Sequence, residues 1–104
     1  MPKPIKMVRV YITETKRDHG ENLYKELFRL LHDTHQIHGM TVFRGIAGFD
    51  SKGEVHSSDL LRLSVDLPLV IEFFDDPKVV DAALKMLAEH VPECRIISWD
   101  AICS

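Results

Sequence analysis

A chain of 104 residues that is 45% hydrophobic and 28% charged has the usage of one globular domain, residues 1–104, which excludes the disordered and fibrous classes. Its formal net charge of −3 excludes the basic surface that nonspecific nucleic-acid binding or adsorption to an anionic membrane requires. A core of this size buries only about 65% of the unfolded surface, so an uncovered apolar sheet face would leave the fold marginal, and self-association is expected.

The chain opens on Met1-Pro2-Lys3-Pro4, and the apolar segment that follows is broken by Lys6 and Arg9. Neither a secretory segment nor a membrane span is read there, so a cytoplasmic protein without membrane insertion is expected. From Ile5 to Ile12, Val8, Val10 and Ile12 alternate with Arg9 and Tyr11, the period of a strand with one apolar face. Thr13 to Gly20 is a polar connection. From about Glu21 the period becomes helical: Leu23, Tyr24, Leu27, Phe28, Leu30, Leu31, Thr34 and Ile37 fill one half of the wheel. Gly39 suits the left-handed residue that closes such a helix, and a second strand is expected from Met40 to Gly48.

Phe49 to Asp66 is a polar excursion rich in charge and serine, with no sustained strand period and at most one helical turn near Ser58 to Leu63. Loops beyond roughly 12–15 residues in a compact domain are usually functional or disordered. A third strand follows from Leu67 to Phe74, with Leu67, Leu69, Ile71 and Phe73 on one face and Val70, Glu72 and Phe74 on the other. Asp75-Asp76-Pro77 reads as a helix start, with an aspartate N-cap and proline in the first turn. That helix runs to about His90 on a stripe of Val79, Val80, Ala83, Leu84, Leu87 and Val91, and Pro92 stops it. Arg95 to Ile102 is the last strand.

The order β-α-β-β-α-β fits an α+β, ferredoxin-like sandwich: an antiparallel sheet with both helices on one face. The other face carries Val70 and Phe74, so a second subunit is expected to cover it. RNA-binding domains share this element order, and Val10-Tyr11-Ile12 resembles their first-strand motif. Their third strand, however, carries a basic residue and stacking aromatics where this chain has Leu69-Val70-Ile71-Glu72-Phe73, so no nucleic-acid partner is expected.

Among the chemistry-bearing groups, His32, His35 and His38 fan over about 120° of the wheel and do not converge on one ion, so no metal ligands are assigned. Ser51, Ser57, Ser58 and Ser64 lie near His56, Asp59 and Asp66. No nucleophile elbow or phosphate loop frames them; no catalytic residue and no enzyme activity is expected, and no motif names a cofactor. If Cys94 and Cys103 share one terminal extended segment, at about 3.3 Å per residue they lie too far apart to form a disulfide, and two reduced cysteines are expected. Arg44, Lys52, His56 and Arg62 are the cations at or near the excursion, and Gly45 and Gly48 would let backbone amides approach an anion. With Phe49 at the start of the excursion, these are the candidate ligand-binding residues. The alternative reading pairs Arg44 with Glu72 across adjacent strands and leaves the glycines to accommodate a bulge.

Phe43-Arg44-Gly45-Ile46-Ala47-Gly48-Phe49, then His56, Ser58-Asp59 and Leu63-Ser64-Val65-Asp66-Leu67-Pro68, resemble an uncharacterised family of small bacterial and archaeal proteins grouped with the PII-like signalling proteins. The resemblance spans nearly the whole chain. It implies a homotrimer in which residues 49–66 correspond to the T-loop that engages a protein target, with a small anionic ligand such as an adenine nucleotide in the cleft between subunits. Two features depart from PII proteins. Glu89-His90-Val91-Pro92-Glu93 lacks their glycine-rich phosphate loop, and Asp50 stands where a glycine is usual. The expected function is a trimeric PII-like signalling and regulatory protein. The alternative is divalent-metal handling of the CutA type, whose trimeric fold is related, and third a cofactor-free enzyme.

Overall fold

The computed structural model describes residues 1–49, the backbone of 55–57, and 66–104 apart from 93. Four strands form the main sheet: β1 (Lys3–Thr13), β4 (Gly39–Arg44), β7 (Pro68–Asp75) and β8 (Ile96–Cys103). Their order is β4-β7-β1-β8, and every pairing is antiparallel. Two minor ladders accompany it: β2 (Arg17–Asp18) with β3 (Glu21–Asn22), and β5 (Ala47–Phe49) with β6 (Val55–Ser57). Helices α1 (Leu23–Arg29) and α2 (Pro77–His90) complete the expected split arrangement.

The core forms where the strand period meets the helix period. Val8, Val10, Ile12, Leu69, Ile71 and Phe73 point to the same side of the sheet as Leu23, Leu27 and Leu31 of the first helical segment and Val80, Ala83 and Leu87 of α2. All of these are buried. Each large aliphatic side chain so placed contributes on the order of 1.5–3 kcal/mol by leaving water.

The helix ends differ from expectation. Asn22 is the N-cap of α1, its side-chain carbonyl accepting from the Lys25 amide at 3.1 Å. At the other end the last turn, Leu30–Thr34, widens into a π-helical turn, with the His35 amide donating to the Leu30 carbonyl at 3.0 Å. The left-handed residue is Gln36, at φ 51°, and not Gly39, which opens β4 with an ordinary φ. The wide turn brings the chain round earlier, and the Ile37 amide reaches back six residues to the Leu31 carbonyl at 3.0 Å, a closure one residue wider than the 6→1 bond of a Schellman motif. Ile37 and Leu31 both join the core, so the two ends of this closing bond are also buried.

At α2, Pro77 stands in the first turn as expected, but the Asp76 carboxylate makes no capping bond; it pairs with Lys3 at 3.3 Å. The buried carboxylate is Asp75, 7% exposed, which accepts from the amides of Asp76 at 2.7 Å and His38 at 3.2 Å. It thereby ties the α1–β4 connection to the β7–α2 junction.

The expected second strand is two strands. β4 follows β7 as far as Arg44, opposite Leu69, and the chain then turns at Gly45-Ile46 into β5. Nor is the excursion from Phe49 free of strand: Val55–Ser57 pairs with Ala47–Phe49, a ladder too short to leave a period in the sequence. The helical turn expected near Ser58 to Leu63 lies outside the described residues.

On the side away from the helices the sheet presents Tyr11, Phe43, Phe74, Ile97 and Trp99, each between 39% and 49% exposed. A face of this kind is larger and more aromatic than isolated surface residues produce.

Candidate functional site at the base of the long excursion

Arg44 is carried by the last residue of β4 to the place where the excursion leaves the main sheet, and Asp66 to Pro68 mark where it returns. Three backbone-anchored bonds hold this junction. The Glu14 amide donates to the Leu67 carbonyl at 3.0 Å, the Thr15 amide to the Asp66 carboxylate at 3.0 Å, and the Gly45 amide to the Pro68 carbonyl at 2.8 Å. The residues after β1 therefore hold the returning end of the excursion, and Gly45 ties the departing end to it.

Arg44 and Glu14 form an ion pair across this junction through the guanidinium Nε. The arginine side chain is 67% exposed and the glutamate 22%. Pairing through Nε leaves the Nη hydrogens, which is the part of a guanidinium that grips a phosphate or carboxylate in a two-pronged contact.

The two glycines have a steric reason to be here. A Cβ on Gly45 would lie 2.7 Å from Cγ of Pro68, and one on Gly48 would lie 3.3 Å from the same atom. The proline ring fills the space a side chain would need, and the Gly45 amide is already used by the Pro68 carbonyl. Gly48 lies opposite His56, and Phe49, 81% exposed, opposite Val55. The structure thus gathers Arg44, Gly45, Gly48, Phe49 and the backbone of His56 at one corner. Lys52 and Arg62 lie outside the described residues, as does Asp50.

The pairing of Arg44 with Glu72 does not occur. Arg44 shares a face with Leu69, which is turned to the helices, whereas Glu72 lies opposite Thr41 and Arg9 on the other face. Glu72 instead accepts from Arg9 Nε at 2.6 Å, and the Arg9 guanidinium sits 5.8 Å from the centre of the Trp99 ring. The hydrogen bond to Glu72, then one to Tyr11, holds the Arg9 guanidinium above its ordinary range.

The three histidines singled out in the sequence do not come together. His32 contacts Asp33 at 2.7 Å, His38 lies 3.4 Å from Asp75, and both His35 and His38 fall beyond the end of the helical segment. Among the described residues a different trio does converge: His90 at the end of α2, Asp18 of β2 and Glu26 of α1. His90 Nδ1 is 2.6 Å from Asp18 Oδ2 and 4.0 Å from Glu26 Oε1. No spacing signals it, because His90 and Asp18 are 72 residues apart in sequence. Cys94, exposed at φ 63°, and Cys103 in β8 are free thiols. No helix among the described residues is long and apolar enough to cross a membrane.

Comparison with known proteins agrees with this architecture. The model of the DUF190 family, described as "Uncharacterized ACR, COG1993", matches residues 5–102. The chain is 36% identical over 92 residues to a UPF0166 protein of Methanocaldococcus jannaschii, covering 88% of this chain and 83% of that one. It is 34% identical over 92 residues to a UPF0166 protein of Aquifex aeolicus, covering 88% and 91%. Among solved structures it is similar to CPII, a nitrogen regulatory PII-like protein from Thiomonas intermedia K12 bound to ADP, AMP and bicarbonate. That likeness has a TM-score of 0.68 at 17% identity over 99% of this chain and 91% of that one. A candidate PII-like signaling protein from Thermus thermophilus aligns with a TM-score of 0.60 at 14% identity over 98% and 89%. With its sheet order, its two helices on one face and its family match in agreement, the chain belongs to the DUF190 family and has the PII-like fold.

Proposed function

We propose that this chain is a PII-like regulatory protein of the cytoplasm that performs no catalysis of its own. In this reading it assembles as a homotrimer through the open face of its sheet. It binds a small anion of the adenine-nucleotide or bicarbonate class at the cleft beside Arg44, and residues 49–66 then present the bound state to a protein target.

The observation that carries the reading is the Arg44–Glu14 pair at a stapled junction. An exposed guanidinium is fixed there by one carboxylate, with donors left for an anion, at the root of the segment that would have to respond. The aromatic open face supports assembly, because three copies meeting there would bury Tyr11, Phe74 and Trp99 together. The fold neighbour described with ADP, AMP and bicarbonate supports the ligand class. The sequence Glu89-His90-Val91-Pro92-Glu93 carries no glycine, which leaves Arg44 and residues near it to supply the anion contacts.

Thermal melting in the presence of ADP, AMP and bicarbonate tests this. A ligand that binds only the folded state raises the midpoint with concentration. A rise with at least one of the three, abolished in Arg44→Ala, is expected; a midpoint indifferent to all three would remove the reading.

A further inference from the structure

We infer that Asp18, Glu26 and His90 form a binding site for one divalent transition-metal ion of the zinc class, separate from the site beside Arg44. Three elements converge to build it: the β2–β3 hairpin, the first turn of α1 and the last residue of α2. One ligand atom from each lies within 4.8 Å of the other two, and the side chains are only 16%, 17% and 19% exposed for Asp18, Glu26 and His90.

The charge at this point is unbalanced. Two largely buried carboxylates face one imidazole, and among the described residues their ion-pair partners are His90 and, for Asp18, the exposed His19 at 3.6 Å. No lysine or arginine among those residues is paired with either, so the counter-charge falls to a proton on histidine or to a bound cation. Buried carboxylates left without a counter-charge are costly.

The distances suit an ion. Bonds of ~2.0–2.2 Å in a tetrahedron set ligand atoms about 3.3 Å apart, and the observed separations bracket that value. Coordination through Nδ1 needs the imidazole hydrogen on Nε2, so the present bond to Asp18 is replaced by two bonds to the metal. One nitrogen and two oxygens fit a borderline ion such as zinc better than magnesium or calcium, which take oxygen alone, or copper(I), which takes thiolates. Of the three, Glu26 also lines a cavity of about 430 Å³ bordered by Arg17, Lys25 and Arg29.

The test uses the full chain freed of metal by chelation, with zinc measured by equilibrium dialysis and cobalt(II) by its visible absorption. The parent should take up one zinc per chain and give the intense bands of four-coordinate cobalt. Glu26→Gln, Asp18→Asn and His90→Gln should each weaken zinc at least about tenfold and dim those bands, while Arg44→Ala keeps both. Should His90→Gln fail to fold, the two carboxylate variants decide. Failure of the parent to retain stoichiometric zinc would overturn the inference, and so would undiminished affinity in Glu26→Gln and Asp18→Asn. Neither result bears on nucleotide or bicarbonate binding beside Arg44.

Discussion

Arg9 of β1 and Glu72 of β7 are cross-strand partners whose side chains meet at 2.6 Å in the middle of the open sheet face, bordered by Tyr11, Phe74, Ile97 and Trp99. The pair satisfies itself, and in the proposed trimer the apolar border is what another copy covers. Trp99→Asp places a carboxylate in that border at a residue 41% exposed in the isolated chain, so the monomer should fold while the assembly fails. Light scattering coupled to size exclusion should give a trimer mass for the parent and a monomer mass for Trp99→Asp, with far-UV circular dichroism unchanged. A trimer unaffected by the substitution would mean that a different surface joins the copies.

Burial divides neighbouring residues on one helix. Leu27 is fully buried and Phe28 is 45% exposed. Leu27→Ala should lower unfolding free energy by about 2–5 kcal/mol, read from chemical denaturation, whereas Phe28→Ala should cost well under half as much. Equal losses would place Phe28 in a core that the structure does not give it.

Gly45 tests the corner at the base of the excursion. Because an added Cβ would meet the ring of Pro68 at 2.7 Å, Gly45→Ala should cost about 1–3 kcal/mol. Adding Pro68→Ala to it should recover part of that loss. A neutral Gly45→Ala would show that the corner has room to give.

Gln36 offers a gain. A non-glycine residue held at φ 51° carries backbone strain of about 1–2 kcal/mol that glycine does not, offset in part by the greater freedom of glycine in the unfolded chain. Gln36→Gly should raise stability by roughly 0.5–1 kcal/mol, whereas Gly39→Ala, at a strand position with open space about its Cα, should not lower it by more than a few tenths. Denaturation midpoints compare the two directly.

These elements also mark what can be read from the chain alone. Alternation in Val8, Val10 and Ile12 and the helical stripe through Leu23, Leu27 and Leu31 identify the inner faces, because burial repeats with the backbone period. The helix end is less legible. A wide final turn shifts the left-handed position from Gly39 to Gln36, and only the bond from the Ile37 amide back to the Leu31 carbonyl reveals it. The partner of Arg44 is hidden for a related reason. Strand alternation separates it from Glu72, and Glu14 comes near only through the bonds beyond the end of β1. His90 meets Asp18 and Glu26 through the packing of α2 beside the β2–β3 hairpin, a relation no sequence spacing encodes.

Isothermal titration of the parent and Arg44→Ala with ADP, AMP and bicarbonate tests most directly whether Arg44 is an anion contact. A charged hydrogen bond of about 1.5–3 kcal/mol corresponds to a loss of roughly ten- to hundredfold in affinity. The parent should bind at least one of the three, and Arg44→Ala should bind it that much more weakly while remaining trimeric. Parent and Arg44→Ala titrating alike, or a parent that binds none of the three, would contradict the account.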